Sequence, residues 1–405
     1  MWELIKANQR KSMVLFVLLT IILVGLGFTI GYVYDPEGGG AFIGMAIAAI
    51  VMLVMSLIAL KSGTQIMLSA SNAKEVTPDV HPQLFNVVEE MAIAAGMRKM
   101  PKIYIINTDA PNAFAAGMNP DNAVVAVTAG LLARMNRDEL QGVIAHEMSH
   151  VVNRDIRFMT LAGVMLGAIV IISQIFLRSL FLTGGRSRSS SGSGGGGGQI
   201  IIMIVALVLA ILAPIMAQLL YFAISRKREY LADASAVKLT RYPEGLASAL
   251  EKISANTAEM PMANKVTAPM FICNPLKQKG MKMSDLSSTH PPISERIRIL
   301  RAISGGAGLV NYQKAFNTVK GKETTIIPGG ELEKEASVEL RESSGMAAFT
   351  DTRTTTRTSH DIMMKVNNYS FINCNCGMKI KIPADFSGNT VYCTRCGNKH
   401  HIGKA

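Results

Sequence analysis

Four long uncharged runs limit what this chain can fold into more than any other feature: Met13–Val33, Ala41–Leu60, Phe158–Leu177 and Gln199–Ser225. About 20 apolar residues suffice for a helix to cross a bilayer, and each run reaches that length. Lys6, Arg10 and Lys11 precede the first run as they would a signal peptide. Its apolar stretch is too long, however, and lacks an A-x-A cleavage pattern, so it reads as a retained anchor. Lys and Arg flank the first pair of runs on both outer sides, whereas Tyr34–Gly40 between them carries neither. The positive-inside rule therefore places the N-terminus and the region beyond Lys61 in the cytoplasm, and Arg226, Lys227 and Arg228 end the fourth run in the same way. Gln174, Pro214 and Gln218 interrupt the last two runs and leave two forms open, a full crossing or a hydrophobic hairpin inside the domain. Between them, Gly184–Gly198 is Gly- and Ser-rich and reads as a flexible tether.

Between the second and third runs lies Ile144-Ala145-His146-Glu147-Met148-Ser149-His150, an H-E-x-x-H box free of Gly and Pro. On a helix advancing about 100° per residue, His146 and His150 fall about 40° apart and can grip one metal ion. Glu147 is then left beside the open coordination position, where a carboxylate can take a proton from the attacking water and return it to the leaving amine. Leu140, Val143, Ile144, Met148 and Val151 supply a core-facing stripe, with a helix start near Asp138-Glu139. A catalytic zinc needs a third protein ligand, commonly from a second helix. Glu229, in the run Arg228-Glu229-Tyr230-Leu231-Ala232-Asp233 after the fourth apolar segment, is the best candidate. Asp233, one turn on, is placed to orient a ligand histidine.

Several further runs stand in the same order as in one known family: Pro111–Gly117, Val125–Leu132, the HEMSH box with Asn153-Arg154-Asp155, the Glu229–Asp233 run, and Ser288-Thr289-His290-Pro291-Pro292 with Glu295-Arg296-Ile297. Over residues 1–302 the chain resembles the HtpX family of membrane-bound zinc metalloproteases, relatives of the type I CAAX prenyl proteases. The resemblance implies zinc held by His146, His150 and Glu229, with Glu147 as general base. It implies that His290 stabilises the oxyanion or orients substrate, with Arg296 supporting that geometry; the alternative is His290 as the cap of a helix beginning near Ser294. Asn112, Ala113, Phe114 and Ala115 resemble the family's edge strand, where a substrate backbone would pair by β-augmentation. The implied setting is a prokaryotic inner membrane, with the catalytic domain and C-terminus cytoplasmic and misfolded membrane proteins as substrates.

Beyond residue 302 the composition turns to Gly, Thr, Ser and charge, and 303–369 reads as a flexible linker. The chain closes on Cys374-Asn375-Cys376-Gly377 and Cys393-Thr394-Arg395-Cys396-Gly397, two Gly-ended knuckles joined by short β segments. That pattern predicts a zinc ribbon with a second, structural zinc, although His400 or His401 could replace one thiolate, and it makes Phe386 and Tyr392 its small core. The ribbon is not part of the family resemblance. The Met-rich run Met260–Met283 and Cys273 are expected to line loops and core. The net charge of +12 flanks membrane segments to a large extent and suits an anionic lipid surface, so nucleic acid is not an expected partner.

The expected architecture is therefore α+β and mainly α. A helix pair (1–61) leads into a zincin-like protease domain (62–302) that holds the other two membrane segments, then come the linker (303–369) and the ribbon (370–405). The expected activity is zinc-dependent hydrolysis of membrane or membrane-adjacent proteins at the cytoplasmic face, in protein quality control. Two alternatives stand beside it. A prenyl-protein protease calls for a larger helical chamber than four segments build, and a non-catalytic adaptor acting through the ribbon has no need of an intact Glu147.

Overall fold

The computed structural model describes residues 2–35, 38–183, 196–256, 258, 260, 271–273, 291–332, 338–345 and 352–402. Helices α1 (Trp2–Tyr34) and α2 (Gly40–Ala70) form an antiparallel pair held by close backbone approach. A Cβ on Gly31 would lie 2.1 Å from the Gly40 carbonyl oxygen, and one on Gly44 2.1 Å from that of Gly27. Only glycine allows this contact, the usual device for helices that gain no hydrophobic drive from packing in lipid.

The chain continues through β1 (Ala73–Glu75), α3 (Pro82–Ala94), β2 (Lys102–Ile106), β3 (Ala113–Ala116) and β4 (Val124–Thr128). The four strands lie in the order β1-β2-β4-β3, with β2 and β4 parallel and both outer pairs antiparallel, which leaves β3 at the edge. Next come α4 (Ala129–Arg134), α5 (Arg137–Val152), α6 (Asp155–Thr183) and α7 (Gly196–Thr240). The fourth apolar run and the run that carries Glu229 are thus one continuous helix of 45 residues. It starts at Gly196, inside the stretch expected as a tether, whose residues 184–195 lie outside the described residues. The face of α7 formed by Ala206, Ala210, Ala213 and Ala217 is buried against Leu15, Leu19, Leu23 and Leu26 of α1 and Met165, Leu166 and Ile169 of α6. Its opposite face, with Ile201, Ile204, Ile211 and Ile215, is exposed, as a lipid-facing surface is. Among the described residues, four helices are long and apolar enough to cross a membrane, over Met13–Tyr34, Gly40–Ala70, Leu161–Arg178 and Met203–Leu220.

Helices α8 (Pro243–Ala255), α9 (Ile293–Arg301), α10 (Leu309–Lys320), α11 (Gly329–Leu332) and α12 (Thr352–Val366) follow. Here the structure corrects the expected linker. Leu309, Tyr312, Ala315 and Phe316 of α10, Ile327, and Ile362 and Val366 of α12 belong to the same buried core as Leu84, Val88, Val143 and Met148. Residues 338–345 are tied down by polar contacts: Arg341 Nη2 and the hydroxyls of Ser343 and Ser344 reach the Asp138 carboxylate at 2.8, 3.0 and 2.9 Å. The protease core therefore extends past residue 302, and its last element, α12, lies against α4.

The C-terminal module consists of two antiparallel hairpins, β5 (Ser370–Asn373) with β6 (Lys379–Ile382) and β7 (Thr390–Tyr392) with β8 (Lys399–His401). It is joined to α12 by Lys379 and Lys381, which reach Asp361 at 2.6 and 3.0 Å. Phe386 and Tyr392 do not form its core: they are 41% and 60% exposed, and Ile382 with Cys374 and Cys393 is buried instead. Two short hairpins without a covering layer have no interior large enough for an aromatic ring.

Candidate metal centre

Helix α5 starts with a capping box: Asn136 accepts from the Glu139 backbone N–H at 2.8 Å, and the Glu139 carboxylate accepts from the Asn136 N–H at 2.9 Å. The helix is then buried continuously from Asp138 to Val151, with the apolar stripe against α3, α7 and α8. It carries His146 and His150 inward as rings 4.9 Å apart and nearly perpendicular. Glu229 arrives from α7. Its carboxylate oxygens lie 3.5 Å from His146 Nε2 and 3.5 Å from His150 Nε2. One donor atom from each of the three residues falls within 4.8 Å of the others.

These donors suit zinc. Ligands at about 2.0–2.1 Å in a tetrahedron stand about 3.4 Å apart, close to the separations seen here, and two imidazoles with one carboxylate leave the fourth position open. The outer nitrogens are held as a metal site needs. His146 Nδ1 is 3.0 Å from Asp233 Oδ1, and His150 Nδ1 is 3.3 Å from Asp155 Oδ2, so each ring turns Nε2 toward Glu229. Arg296, entirely buried, makes a bidentate pair with Asp233 through Nε at 2.8 Å and Nη2 at 2.7 Å, and its Nη1 is 3.4 Å from Glu229.

Burial pushes the Glu147 carboxyl up, against the pull of the two histidines and a hydrogen bond with the Ala115 backbone. Burial also works against the charged form of His150, but the Asp155 and Glu229 carboxylates outweigh it and raise the imidazole to about 10. Asp233 is held low although burial opposes it, because Arg296 and His146 face it.

The edge strand lies beside these groups, with Asn112, Ala113, Phe114 and Ala115 all buried. Part of that edge is taken by the chain itself. Ile272 N–H donates to the Ala113 carbonyl at 2.9 Å, and the Asn112 side chain spans Cys273, donating to its carbonyl at 2.9 Å and accepting from its N–H at 3.3 Å. Phe271 meets Phe114 edge to face at 5.1 Å. Cys273 is buried, as expected, whereas most of Met260–Met283 lies outside the described residues. His290 lies outside them too; α9 begins at Ile293 with Pro292 at its cap position. Asp155 is the site residue that sequence reasoning missed, and its signal was the Asn153-Arg154-Asp155 run directly after the box.

In the C-terminal module the four cysteines converge: Cys374 and Cys396 sulfurs are 3.5 Å apart, and Cys376 and Cys393 sulfurs 3.6 Å. Left-handed Gly377 and Gly397 close the knuckles, and neither His400 nor His401 belongs to the cluster. Backbone hydrogen bonding from Cys396 and Arg395 holds the Cys393 thiol down, to about 6, toward the thiolate a metal binds, while at Cys374 and Cys396 backbone hydrogen bonding is outweighed by burial and contacts with the neighbouring cysteines, which push both thiols up.

A model of peptidase family M48 matches residues 78–304. A protease HtpX homolog from Dictyoglomus turgidum is 46% identical over 301 residues, covering 74% of this chain and 94% of the relative. The homolog from Listeria monocytogenes is 45% identical over 306 residues, covering 74% and 99%. Among solved structures, Ste24p of S. mikatae aligns with a TM-score of 0.39 at 22% identity, covering 74% of this chain and 67% of that one. By class, then, the protein is a membrane metallopeptidase acting on proteins. It belongs to peptidase family M48, among the HtpX homologues.

Proposed function

We propose that the chain is a zinc endopeptidase whose active site faces the cytoplasm and which cuts membrane or membrane-adjacent proteins as part of quality control in a prokaryotic inner membrane. The observation that carries this is the convergence of His146, His150 and Glu229 with Glu147 on the next position of the same buried helix. His146, His150 and Glu229 would hold the ion, which when bound supplies Lewis acidity and an acidified water. Glu147, made more basic by burial, takes the proton of the attacking water and passes it to the leaving amine. Asp233 and Asp155 hold the two imidazoles in one tautomer, and Arg296 holds Asp233. The substrate backbone pairs along β3 past the point where Ile272 meets Ala113, which brings its scissile carbonyl toward Glu147; His290 is assigned to the oxyanion. Such pairing reads backbone more than side chains and suits varied unfolded substrates. The basic flanks of the apolar helices support the cytoplasmic orientation.

The test is Glu147→Gln in the full chain. Peptide cleavage should fall by at least about 100-fold with zinc content unchanged. Wild-type turnover in that variant would refute the assignment. A comparison of cleaved protein termini in cells carrying either form should then yield membrane proteins as the lost products.

A further inference from the structure

We propose that the cavity between α1, α2, α6 and the loop after β3 is a binding site for a single anionic phospholipid. The cavity holds about 480 Å³, within the range of roughly 300–1,000 Å³ typical of small-ligand sites. Its walls are mostly apolar, with Met13 and Phe16 of α1, Leu60 of α2 and Leu161 of α6, and the Gln9 and Asn119 amides also border it. Met13 and Leu161 are the first residues of the first and third membrane spans, and Leu60 directly precedes Lys61. The cavity therefore sits at one end of the membrane helices, at headgroup level, on the side where the basic residues gather.

Of the four polar residues in the lining, Arg154 and Ser56 say most about the occupant, because Gln9 and Asn119 are neutral amides that accept from or donate to many ligands. Arg154 lines the cavity, is exposed, and its side chain makes no hydrogen bond or ion pair among the described residues. The Ser56 hydroxyl also lines it and is buried without a hydrogen-bond partner. A buried hydroxyl left unpaired is costly, and an incoming acceptor oxygen relieves that cost. An acyl chain for the walls, ester or phosphate oxygens for Ser56 and a net negative charge for Arg154 together describe an anionic phospholipid. A zwitterionic lipid fills the same walls without answering the free cation. Ile156 forms part of the lining and is packed with Val151 of α5 and Ala115 of β3, so the occupant rests against the scaffold of the metal centre.

The experiment uses the purified full chain, delipidated in detergent, with native mass spectrometry during titration with palmitoyl-oleoyl phosphatidylglycerol or phosphatidylcholine. One phosphatidylglycerol should be retained per chain, in preference to phosphatidylcholine by about fivefold, the equivalent of about 1 kcal/mol for one cation at a lipid surface. Arg154→Asn tolerates the left-handed backbone at this position (φ 58°) and should abolish the preference, while Arg154→Lys should keep it. Leu161→Trp, which fills the cavity, should reduce retention of both lipids. Equal retention of the two lipids by the wild-type chain would overturn the proposal without recourse to any variant. So would an undiminished preference in Arg154→Asn, or a peptide as the retained molecule. Binding is read without turnover, so the outcome is independent of the peptidase assignment.

Discussion

Replacing Asp233 by Asn keeps the side chain's size and removes its charge at the point where the metal centre is tied to the rest of the fold. Asp233 and Arg296 are both fully buried and joined by two hydrogen bonds of 2.8 and 2.7 Å. Removing one partner leaves the buried guanidinium with Glu229, 3.4 Å from its Nη1, as the carboxylate still facing it, at a cost of up to about 3–5 kcal/mol. A domain of this size loses about 2–4 °C of Tm per kcal/mol, so Asp233→Asn should lower the Tm of the metal-free protein by up to roughly 6–20 °C. Asp233 also fixes the His146 ring at 3.0 Å, and loss of such an outer partner weakens metal binding by about 10–100-fold. The two effects separate in a double variant. Asp233→Asn with Arg296→Met removes both charges and should recover much of the Tm, while zinc affinity, read by competition with a chelator, stays low. A Tm loss in the double variant equal to the sum of the two single losses would show that the pair is uncoupled and refute the reasoning. Zinc affinity within twofold of wild type in Asp233→Asn would remove Asp233 from the metal centre.

Gly31→Leu has no space beside Gly40 and should lower the Tm by the equivalent of at least about 1–3 kcal/mol; an unchanged melt would mean the helix pair does not approach as closely. Burial pushes the Asp138 carboxyl up, but Arg341, Ser344 and Ser343 more than offset it and hold it below its usual range. A depressed carboxylate contributes stability that is present above its unfolded pKa of about 3.9 and is lost as pH falls through the lower folded value. Protection of residues 338–345 from hydrogen exchange, taken relative to the intrinsic rate at each pH, should therefore be high at neutral pH and fall below about pH 4, and Arg341→Ala should lower it at neutral pH. Metal analysis should find two zinc ions per chain in the wild type and one in Cys393→Ser with peptide cleavage retained; two in the variant would rule out the four-cysteine site.

The metal-bearing helix was legible because one periodicity serves two purposes. Leu140, Val143, Ile144, Met148 and Val151 recur at helical spacing, and all five are buried; the same spacing puts His146 and His150 on one side. Glu229 could be found because zinc chemistry requires a third ligand and the basic helix after the last apolar run offers a buried-looking Glu–Asp pair one turn apart. Asp155 belongs to no such template. It starts a new helix after a turn in which Arg154 adopts φ 58°, and only that reversal brings its carboxylate back to His150.

The misread linker has a different physical cause. Along α10 the buried residues Leu309, Tyr312, Ala315 and Phe316 do recur at helical spacing, but Asn311, Gln313, Lys314 and Asn317 on the same helix lower the mean apolarity to that of a surface segment. A narrow stripe is enough here because it meets an already formed core beneath α9 and α7, so little apolar area per residue is needed to hold it. Residues 338–345 are invisible to periodicity altogether, since Arg341, Ser343 and Ser344 bind through Asp138 and not through apolar burial. That carboxylate sits in the first turn of α5, two turns before His146. A segment with the composition of a loose tether therefore closes off the N-terminal end of the helix that carries the metal centre, and α12 attaches the cysteine module to α4.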